Sequence, residues 1–358
     1  MLHIIASSMH REEQSLPFEL PAGWADSNQC VAVLTGGTEA SFVELVNDGK
    51  IDLQQPIYLL ASGQSNSLAA SLEILAWIQQ RGGAGRVLTS AAQIAVEESP
   101  QPDTNTAVKK RNLHLFKTVN TGELRLGVIG EPSDWLIASL VDDRSIYRKT
   151  GIRLVRIPIE EVSSLGEVDG GLKGAEQIYD RLKKIVVRYG LGGLTLRCFD
   201  LLTTVKNTGC VALSHLNDEG IPAACEGDIP LLLTMLYAKQ NYGKIGFQVN
   251  PARIGDDGRM LFAHCTVPLK MTTSHVIDTH FESGIGIGIH GELPLGRYRL
   301  LKLSRDLKQV LDEPVELVAN QYEPNLCRTQ VWLQGTPELA RRLLTHPLAN
   351  HHLLIKED

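Results

Sequence analysis

The chain has 358 residues, which is enough for two or three domains with sizeable cores. Hydrophobic residues make up 43% and charged residues 21%, near the averages for soluble globular proteins, and this argues against a disordered, collagen-like or coiled-coil chain. With 35 basic and 41 acidic residues the net charge is −6, so nucleic acid and anionic membranes are not expected partners.

The amino-terminal segment and the cysteines indicate the cellular compartment. The apolar start gives way to charged residues at His10, so we expect neither a secretory signal nor a membrane span. The six cysteines form no Cys-x-x-Cys pair, which argues against a zinc finger or a thioredoxin motif. We therefore predict a cytoplasmic protein with free thiols.

The first 123 residues alternate short apolar strands with helical segments. Strands that begin at Cys30 and Pro56 are followed by helices over 40–47 and 68–81, and a third strand begins at Gly85. A polar, proline-bearing stretch over 98–105 is typical of a linker. This alternation predicts an α/β class with a doubly wound parallel sheet, as an N-terminal domain over 1–123.

The alternation restarts at Leu124. A strand and a polar loop precede a short apolar helix expected over 136–140, and an amphipathic helix is expected over 175–189. These elements predict a second α/β domain over 124–191. Long strand-like runs over 258–267, 284–290 and 297–303 then predict a C-terminal α+β domain over 192–358, with a large mixed or antiparallel sheet.

Two acids, Glu226 and Asp228, stand just before an apolar helix that begins near Pro230. Asp228 fits the ordinary role of a helix N-cap, which satisfies free backbone amides. Capping does not explain the second acid. His264 lies inside an apolar strand, where a histidine is more often a core residue than a ligand.

Two adjacent histidines, His351 and His352, precede the last strand-like run. Carboxylates and imidazoles together are the ligand set for Mn²⁺, Mg²⁺ or Fe²⁺ in a site that keeps open positions for substrate oxygens. The sequence leaves open which of the two histidines faces such a site.

The run 284–291 has Gly-x-Gly-x-x-Gly spacing, which superficially suggests a nucleotide-binding loop. Its glycines alternate with isoleucines as in a strand, and a proline-bearing segment follows where a nucleotide loop needs a helix. Close packing of a sheet against a neighbouring element is the favoured interpretation.

Several of these segments resemble one known family. The stretches 217–230, 261–268, 280–283 and 327–331, with the closing Ala-Asn-His-His, resemble the C-terminal half of the L-fucose/L-arabinose isomerase superfamily, specifically its fucose-isomerase-like proteins. The N-terminal half resembles it over 35–39, 66–67 and 130–135. The resemblance implies an aldose–ketose isomerase of carbohydrate metabolism that acts on a divalent metal, usually Mn²⁺, through a cis-enediolate.

The resemblance also implies roles for individual residues, with a base that must reach two neighbouring carbons of the sugar. The implied catalytic residues are Glu226, Asp228 and Asp200. The implied metal ligands are Glu226, Asp228, His264 and His351. The candidate substrate-binding residues are Arg197, Asn250, His280, Glu282, Arg328, Trp135 and Asn66. A solvated turn is the alternative for His280 and Glu282, and a buried charge at a sheet edge is the alternative for Arg328.

Two departures from the family keep alternatives open. The chain is shorter than typical members, and Asn250 stands in the region where the arabinose branch carries an acidic ligand. A hydrolase or lyase on the same scaffold and a non-catalytic sugar-binding protein are the alternatives. Members of the family are oligomers in which a neighbour's N-terminal domain closes the cleft. We therefore expect a homo-oligomer whose loops 36–39, 64–67 and 133–135 serve the site.

Overall fold

The computed structural model describes residues 1–7, 15–94, 116 and 123–357. The chain is mixed α/β, with two parallel sheets followed by an antiparallel C-terminal region, as the strand and helix pattern predicted. The expected linker over 98–105 lies outside the described residues. Of the helices that the structure describes, none combines the length and apolarity needed to cross a membrane.

Four parallel strands form the first sheet, in the order β1-β2-β3-β4. Its longest helix, α3, is buried over 67–78 because the sheet covers one side and barrel strand β9 packs on another. The periodic apolar pattern predicted this helix to within one residue at each end. The elements are β1 (Leu2–Ile5), α1 (Trp24–Ser27), β2 (Gln29–Val33), α2 (Glu39–Asn47), β3 (Ile57–Ala61), α3 (Ser67–Gln80) and β4 (Gly85–Leu88).

The second sheet is also parallel, in the order β6-β5-β7-β8. Its last two strands lie beyond residue 191, so the sheet continues across the boundary expected between the second and third domains. The elements are β5 (Arg125–Ile129), α4 (Asp143–Thr150), β6 (Arg153–Ile157), α5 (Glu160–Ser163), α6 (Leu172–Tyr189), β7 (Gly193–Leu196), α7 (Asp200–Thr204), α8 (Cys210–Asp218) and β8 (Ala223–Cys225).

The prediction of a short helix over 136–140 is wrong, because this segment forms turns. Its Ala138 N–H donates at 2.8 Å to the carboxylate of Glu73 in α3, and not to a carbonyl oxygen one helical turn away. A tertiary hydrogen bond thus replaces the local one that the apolar pattern suggested.

Six antiparallel strands close into a barrel, in the order β10-β15-β14-β13-β16-β9. The sequence predicted the antiparallel strands but not the closure. Register shifts at Leu261/Phe262 and Leu317/Ala319 bend the strands as closure requires. The elements are α9 (Ile229–Tyr242), β9 (Phe247–Ile254), β10 (Arg259–His264), β11 (Ser274–Thr279), β12 (Ile287–Glu292), β13 (Gly296–Leu303), β14 (Val310–Gln321), β15 (Thr329–Gln334), α10 (Pro337–Thr345) and β16 (His352–Lys356).

The glycine-rich run contributes β12, which pairs with β11 outside the barrel. A Cβ atom on Gly288 would lie 3.2 Å from Cβ of Cys265, and one on Gly291 would lie 2.6 Å from Thr272. The glycines therefore allow close packing of the sheet, the use that the alternation with isoleucine indicated.

Candidate functional site

A cavity of about 300 Å³ lies beside the carboxyl ends of strands from both parallel sheets. Asn66 follows β3, Trp135 follows β5 and Glu226 follows β8, while Asn250 comes from barrel strand β9. The carboxyl ends of parallel strands are where α/β folds normally bind ligands. The two parallel sheets and the barrel therefore all contribute residues to one cavity.

The three loops expected at the site line this cavity within one chain. Gly36 and Glu39 belong to the first loop, Ser65 and Asn66 to the second, and Trp135 to the third. The closure of the cleft by a neighbouring protomer's N-terminal domain, which the resemblance implied, stays a prediction. The oligomeric state stays an expectation.

Glu226 reaches the cavity through a tight turn that follows β8. Its φ is +66°, in the left-handed region that costs a non-glycine residue on the order of 1–3 kcal/mol, and Gly227 follows at +72°. A Cβ atom on Gly227 would lie 2.7 Å from Cα of Pro132, so the second position of the turn requires glycine. The indole N–H of Trp135 donates to Oε2 of Glu226 at 2.6 Å.

The other oxygen of Glu226 faces two imidazoles. Its Oε1 lies 3.2 Å from Nε2 of His351 and 3.6 Å from Nε2 of His264. All three residues are buried, and their ligand atoms lie within 4.8 Å of one another. The structure therefore brings together residues that are 125 positions apart in the chain.

Each imidazole is held at its other nitrogen. Nδ1 of His351 lies 2.9 Å from Oδ2 of Asp228, and Nδ1 of His264 lies 3.0 Å from Oγ1 of Thr266. Metal-binding histidines have this arrangement, in which a partner at one nitrogen aims the other at the ion. His352 instead bonds to the Asn350 carbonyl oxygen through Nδ1, so His351 is the histidine that faces Glu226.

Asp228 caps a helix, as its position before α9 suggested, and it also contacts one histidine of the site; its implied roles as metal ligand and catalytic residue stay predictions. Its Oδ1 caps α9 by accepting the Leu231 N–H at 2.7 Å, and its Oδ2 contacts His351. Lys302 Nζ is 3.7 Å away, and both side chains are fully buried. Burial raises the pKa of Asp228, but Lys302 and then His351 outweigh it and hold the pKa below its usual value. Asp228 therefore orients His351 from outside the cavity lining.

The charges of the cluster stabilise one another. Burial raises the pKa of Glu226, but the two histidines outweigh this effect, His351 most, and hold the pKa far below its usual range. Burial lowers the pKa of His351, but Glu226 and Asp228 together raise it to about 10. A divalent cation at this place must displace the proton of His351, so its affinity increases with pH.

The donor set fits a divalent cation. One carboxylate and two imidazoles form the two-histidine, one-carboxylate pattern that leaves coordination positions open for substrate. Asn250, which stands where the resemblance implied an acid, lines the cavity with a buried Oδ1 that has no hydrogen-bond partner among the described residues. A ligand in the cavity would satisfy this oxygen.

Two further carboxyl groups line the cavity. Glu282 accepts a hydrogen bond from the Asn66 side-chain amide, and burial followed by the charge of Glu226 raises its pKa to about 7. Burial also raises the pKa of Glu39 well above its usual value, and Oε2 of Glu39 has no partner among the described residues. Near neutral pH Glu282 can hold or release a proton at the cavity wall.

The remaining expected residues lie outside the described lining of the cavity. Arg197 pairs with Asp200 at 3.0 Å and with Asp134 at 3.0 Å, and it donates to the Pro132 carbonyl oxygen. These contacts brace the loop that carries Trp135. The resemblance implied that Asp200 is catalytic, whereas its carboxylate bonds to Arg197.

His280 and Arg328 have structural partners. His280 Nδ1 bonds to the Ser283 hydroxyl group, and the ring packs edge-on against Phe199. Burial, with a smaller contribution from His264, lowers the pKa of His280 to about 4, so the ring is neutral at pH 7. Arg328 donates to the Thr279 carbonyl oxygen at 2.6 Å and lies 3.4 Å from Asp278.

Sequence reasoning missed Glu39, Glu73, Lys302 and Asn350. Glu73 and Lys302 were detectable, because each is an ionisable residue with aliphatic neighbours on both sides, Leu72 and Ile74 for Glu73 and Leu301 and Leu303 for Lys302. Glu39 lies in a loop that was expected at the site. Asn350 gave no signal beyond its place next to His351.

Replacing Asp228 by asparagine separates its two roles. An amide still caps α9, but it no longer supplies the anion that Lys302 and His351 face. We expect Asp228→Asn to weaken Mn²⁺ binding by about 10–100-fold and to lower the melting temperature. The matched control is Asp142→Asn, since Asp142 is the exposed N-cap of α4. Calorimetric Mn²⁺ titration that finds equal affinities in the two variants would contradict an orienting role.

The comparisons with known proteins give one finding. No family model matches the chain. Over 194 residues the chain is 23% identical to a sulfoquinovose isomerase from Alkalicoccus urumqiensis. The match covers 46% of this chain and 44% of that protein, so it spans less than half the length of the relative.

Proposed function

We propose that the protein is a metal-dependent aldose–ketose isomerase that acts through a cis-enediolate. The observation that carries this proposal is the convergence of Glu226 Oε1 with the Nε2 atoms of His264 and His351. Glu226 of this donor set lines a cavity of about 300 Å³, which is sufficient for a monosaccharide. His264 and His351 lie outside the described lining and reach the cavity through their contacts with Glu226. The distant similarity to a sugar isomerase supports the same class of reaction.

Glu226, His264 and His351 would hold the divalent cation. Bound there, the cation supplies Lewis-acid polarisation of the carbonyl oxygen of the sugar. Asp228 and Thr266 keep the two imidazoles aimed into the site. Trp135 fixes the rotamer of Glu226 by donating to Oε2, and the strained turn at Glu226 and Gly227 sets its direction.

We assign the proton transfer between the two sugar carbons to Glu282. Its carboxyl group lines the same cavity, and a pKa of about 7 allows it to accept and return a proton near neutral pH. The Asn66 amide holds one carboxyl oxygen, which leaves the other free for substrate. Burial raises the pKa of Glu39 and so favours its neutral form, which would donate a hydrogen bond to a sugar oxygen.

The charges of the cavity favour an uncharged aldose. Glu39, Glu226 and Glu282 line it, and none of the described lining residues is lysine or arginine. A sulfonated or phosphorylated sugar would place an anion beside these carboxyl groups without a cationic side chain of the described lining to receive it. We therefore expect a neutral pentose, hexose or 6-deoxyhexose.

The experiment is exchange of the substrate's C2 proton with solvent deuterium, followed by NMR. The wild-type protein with Mn²⁺ is incubated with a panel of neutral aldoses and with sulfoquinovose. We expect exchange with at least one neutral aldose and its loss after chelation of the metal. Absence of exchange from every sugar would reject the isomerase. Cleavage of a glycoside by the same sample would favour the hydrolase alternative.

A further inference from the structure

Glu73 is a carboxyl side chain with no exposed surface, in the middle of the buried helix α3. Burial of a carboxyl group is costly unless its oxygens are satisfied. The helix belongs to the first parallel sheet, which contributes none of the three proposed metal ligands. A buried acid at this place therefore needs an explanation beyond the stability of its own helix.

The two oxygens of Glu73 connect two segments that are distant in the chain. Oε1 accepts the Ala138 N–H at 2.8 Å, and Oε2 accepts the Asn350 N–H at 3.1 Å. The Ser139 hydroxyl group is a further donor to Oε2, at 3.4 Å. One carboxyl group therefore joins the loop after β5 to the segment before β16.

Each of these segments carries a residue of the site. Asn350 directly precedes His351, and its side-chain oxygen accepts the His351 N–H at 2.6 Å. The loop that contains Ala138 also carries Trp135, which donates to Glu226. Glu73 is thus connected to two of the three proposed metal ligands through one intervening residue or loop each.

The segment before His351 is strained and depends on external contacts. Ala349 has a φ of +89°, a conformation that L side chains rarely adopt. Such strain persists where the surrounding structure fixes the backbone. The hydrogen bond from Asn350 N–H to Glu73 fixes it immediately after the strained residue.

The buried charges around Glu73 belong to the same network. Burial raises the pKa of Glu73, Lys302 lowers it, and Asp228 raises it. Lys302 also lies 3.7 Å from Asp228, which orients His351. Glu73 and Asp228 therefore both interact with Lys302, and they hydrogen-bond to Asn350 and His351 respectively.

We propose that Glu73 is a positioning residue, which sets the metal site by fixing both the His351 segment and the Trp135 loop. This inference rests on the proposed metal site and assigns Glu73 no contact with metal or sugar. It predicts that the positions of the metal-binding side chains depend on a carboxyl group in a helix that packs on the first sheet.

The test is Glu73→Gln. An amide has one accepting oxygen, so it cannot accept from both Ala138 and Asn350, and its NH₂ group must face a backbone N–H. We expect the Mn²⁺ dissociation constant to rise at least 10-fold by calorimetry, in protein that is folded by circular dichroism at the same temperature. If this variant does not fold, Glu73→Asp is the substitute, because it keeps the carboxyl group on a shorter side chain. We expect it to raise the Mn²⁺ dissociation constant by a smaller factor.

The control for a merely structural role is Leu75→Ala. Leu75 is fully buried in the same helix, and its truncation lowers stability by leaving a cavity. We expect this variant to melt at least as early as Glu73→Gln and to keep the Mn²⁺ dissociation constant within twofold of wild type. Folded Glu73→Gln with an unchanged dissociation constant would overturn the positioning role.

A readout in the metal-free protein separates this inference from the proposed function. The imidazole NMR signals of His351 and His264 are assigned from the spectra of His351→Gln and His264→Gln. Glu73→Gln is expected to shift the His351 signal more than the His264 signal, because His264 lies on β10 and is held by Thr266. If the wild type binds no Mn²⁺, the proposed metal site fails, while an unmoved His351 signal overturns the role of Glu73.

Discussion

His351→Gln is expected to weaken Mn²⁺ binding by more than about 100-fold, because loss of an outer-shell partner alone costs about 10–100-fold. The imidazole lies between Glu226 and Asp228, and no other described side chain occupies that position. Its removal takes away one of the three proposed donors and leaves two buried carboxylates without their shared partner. Sugar C2-proton exchange should fall by at least about 10²-fold with it.

The measurement is calorimetric Mn²⁺ titration together with the exchange assay. His264→Gln is expected to give the same loss of binding, since the two imidazoles are equivalent donors in the cluster. His275→Gln is the matched control, because His275 is exposed on β11. Stoichiometric, tight binding of Mn²⁺ by the His351→Gln variant would reject Glu226, His264 and His351 as the metal ligands.

The sequence predicted those helices and strands that depend on the local pattern of apolar residues. The apolar periodicity over 68–81 located α3, and the alternation of strands and helices gave the two parallel sheets. The sequence did not predict closure of the barrel, because closure depends on pairing between β9 and β16 and between β10 and β15, which are strands far apart in the chain. Local periodicity carries no information about such pairing.

Local sequence pattern also predicted only part of the candidate site. Two acids before a helix and a histidine in a strand were visible as candidates, and the resemblance suggested that they meet. Which of His351 and His352 faces the acids depends on where the strand begins, because successive strand residues point to opposite sides. The structure begins β16 at His352, and His351 precedes it. The helix expected over 136–140 is wrong for a related reason, since a distant carboxyl group bonds to its backbone.

Glu282→Gln is expected to lower C2-proton exchange by at least about 10²-fold and to leave Mn²⁺ affinity within a few-fold of wild type. The amide has the same shape and can still accept from Asn66, but it cannot take up a proton from carbon. Glu292→Gln is the matched control, because Glu292 is an exposed acid of the neighbouring strand β12. Equal exchange in the two variants would remove Glu282 from the mechanism.

The pH dependence of stability tests the same carboxyl group without substrate or metal. Burial and then Glu226 raise the pKa of Glu282 from 4.5 to about 7. Between these values the folded state keeps a proton that the unfolded state has lost, so this group's contribution to stability falls as pH rises and is lowest above pH 7. Glu282→Gln removes this decrease in stability, because an amide does not ionise. We expect the two proteins to melt alike near pH 4 and the variant to be more stable at pH 8, by at most about 3 kcal/mol.

The two readouts for Glu282 depend on one proton and must agree. A base can act only after it loses its proton, so the exchange rate of the wild type should rise with pH through the pKa of Glu282, and this rise should be absent from the residual rate of Glu282→Gln. A melting-temperature difference that does not grow between pH 4 and pH 8 would mean that Glu282 ionises like an exposed acid. The loss of exchange in the variant would then come from a changed cavity wall. Glu39 also lines the cavity, and its Oε2 has no partner among the described residues, so it would be the next candidate for the base.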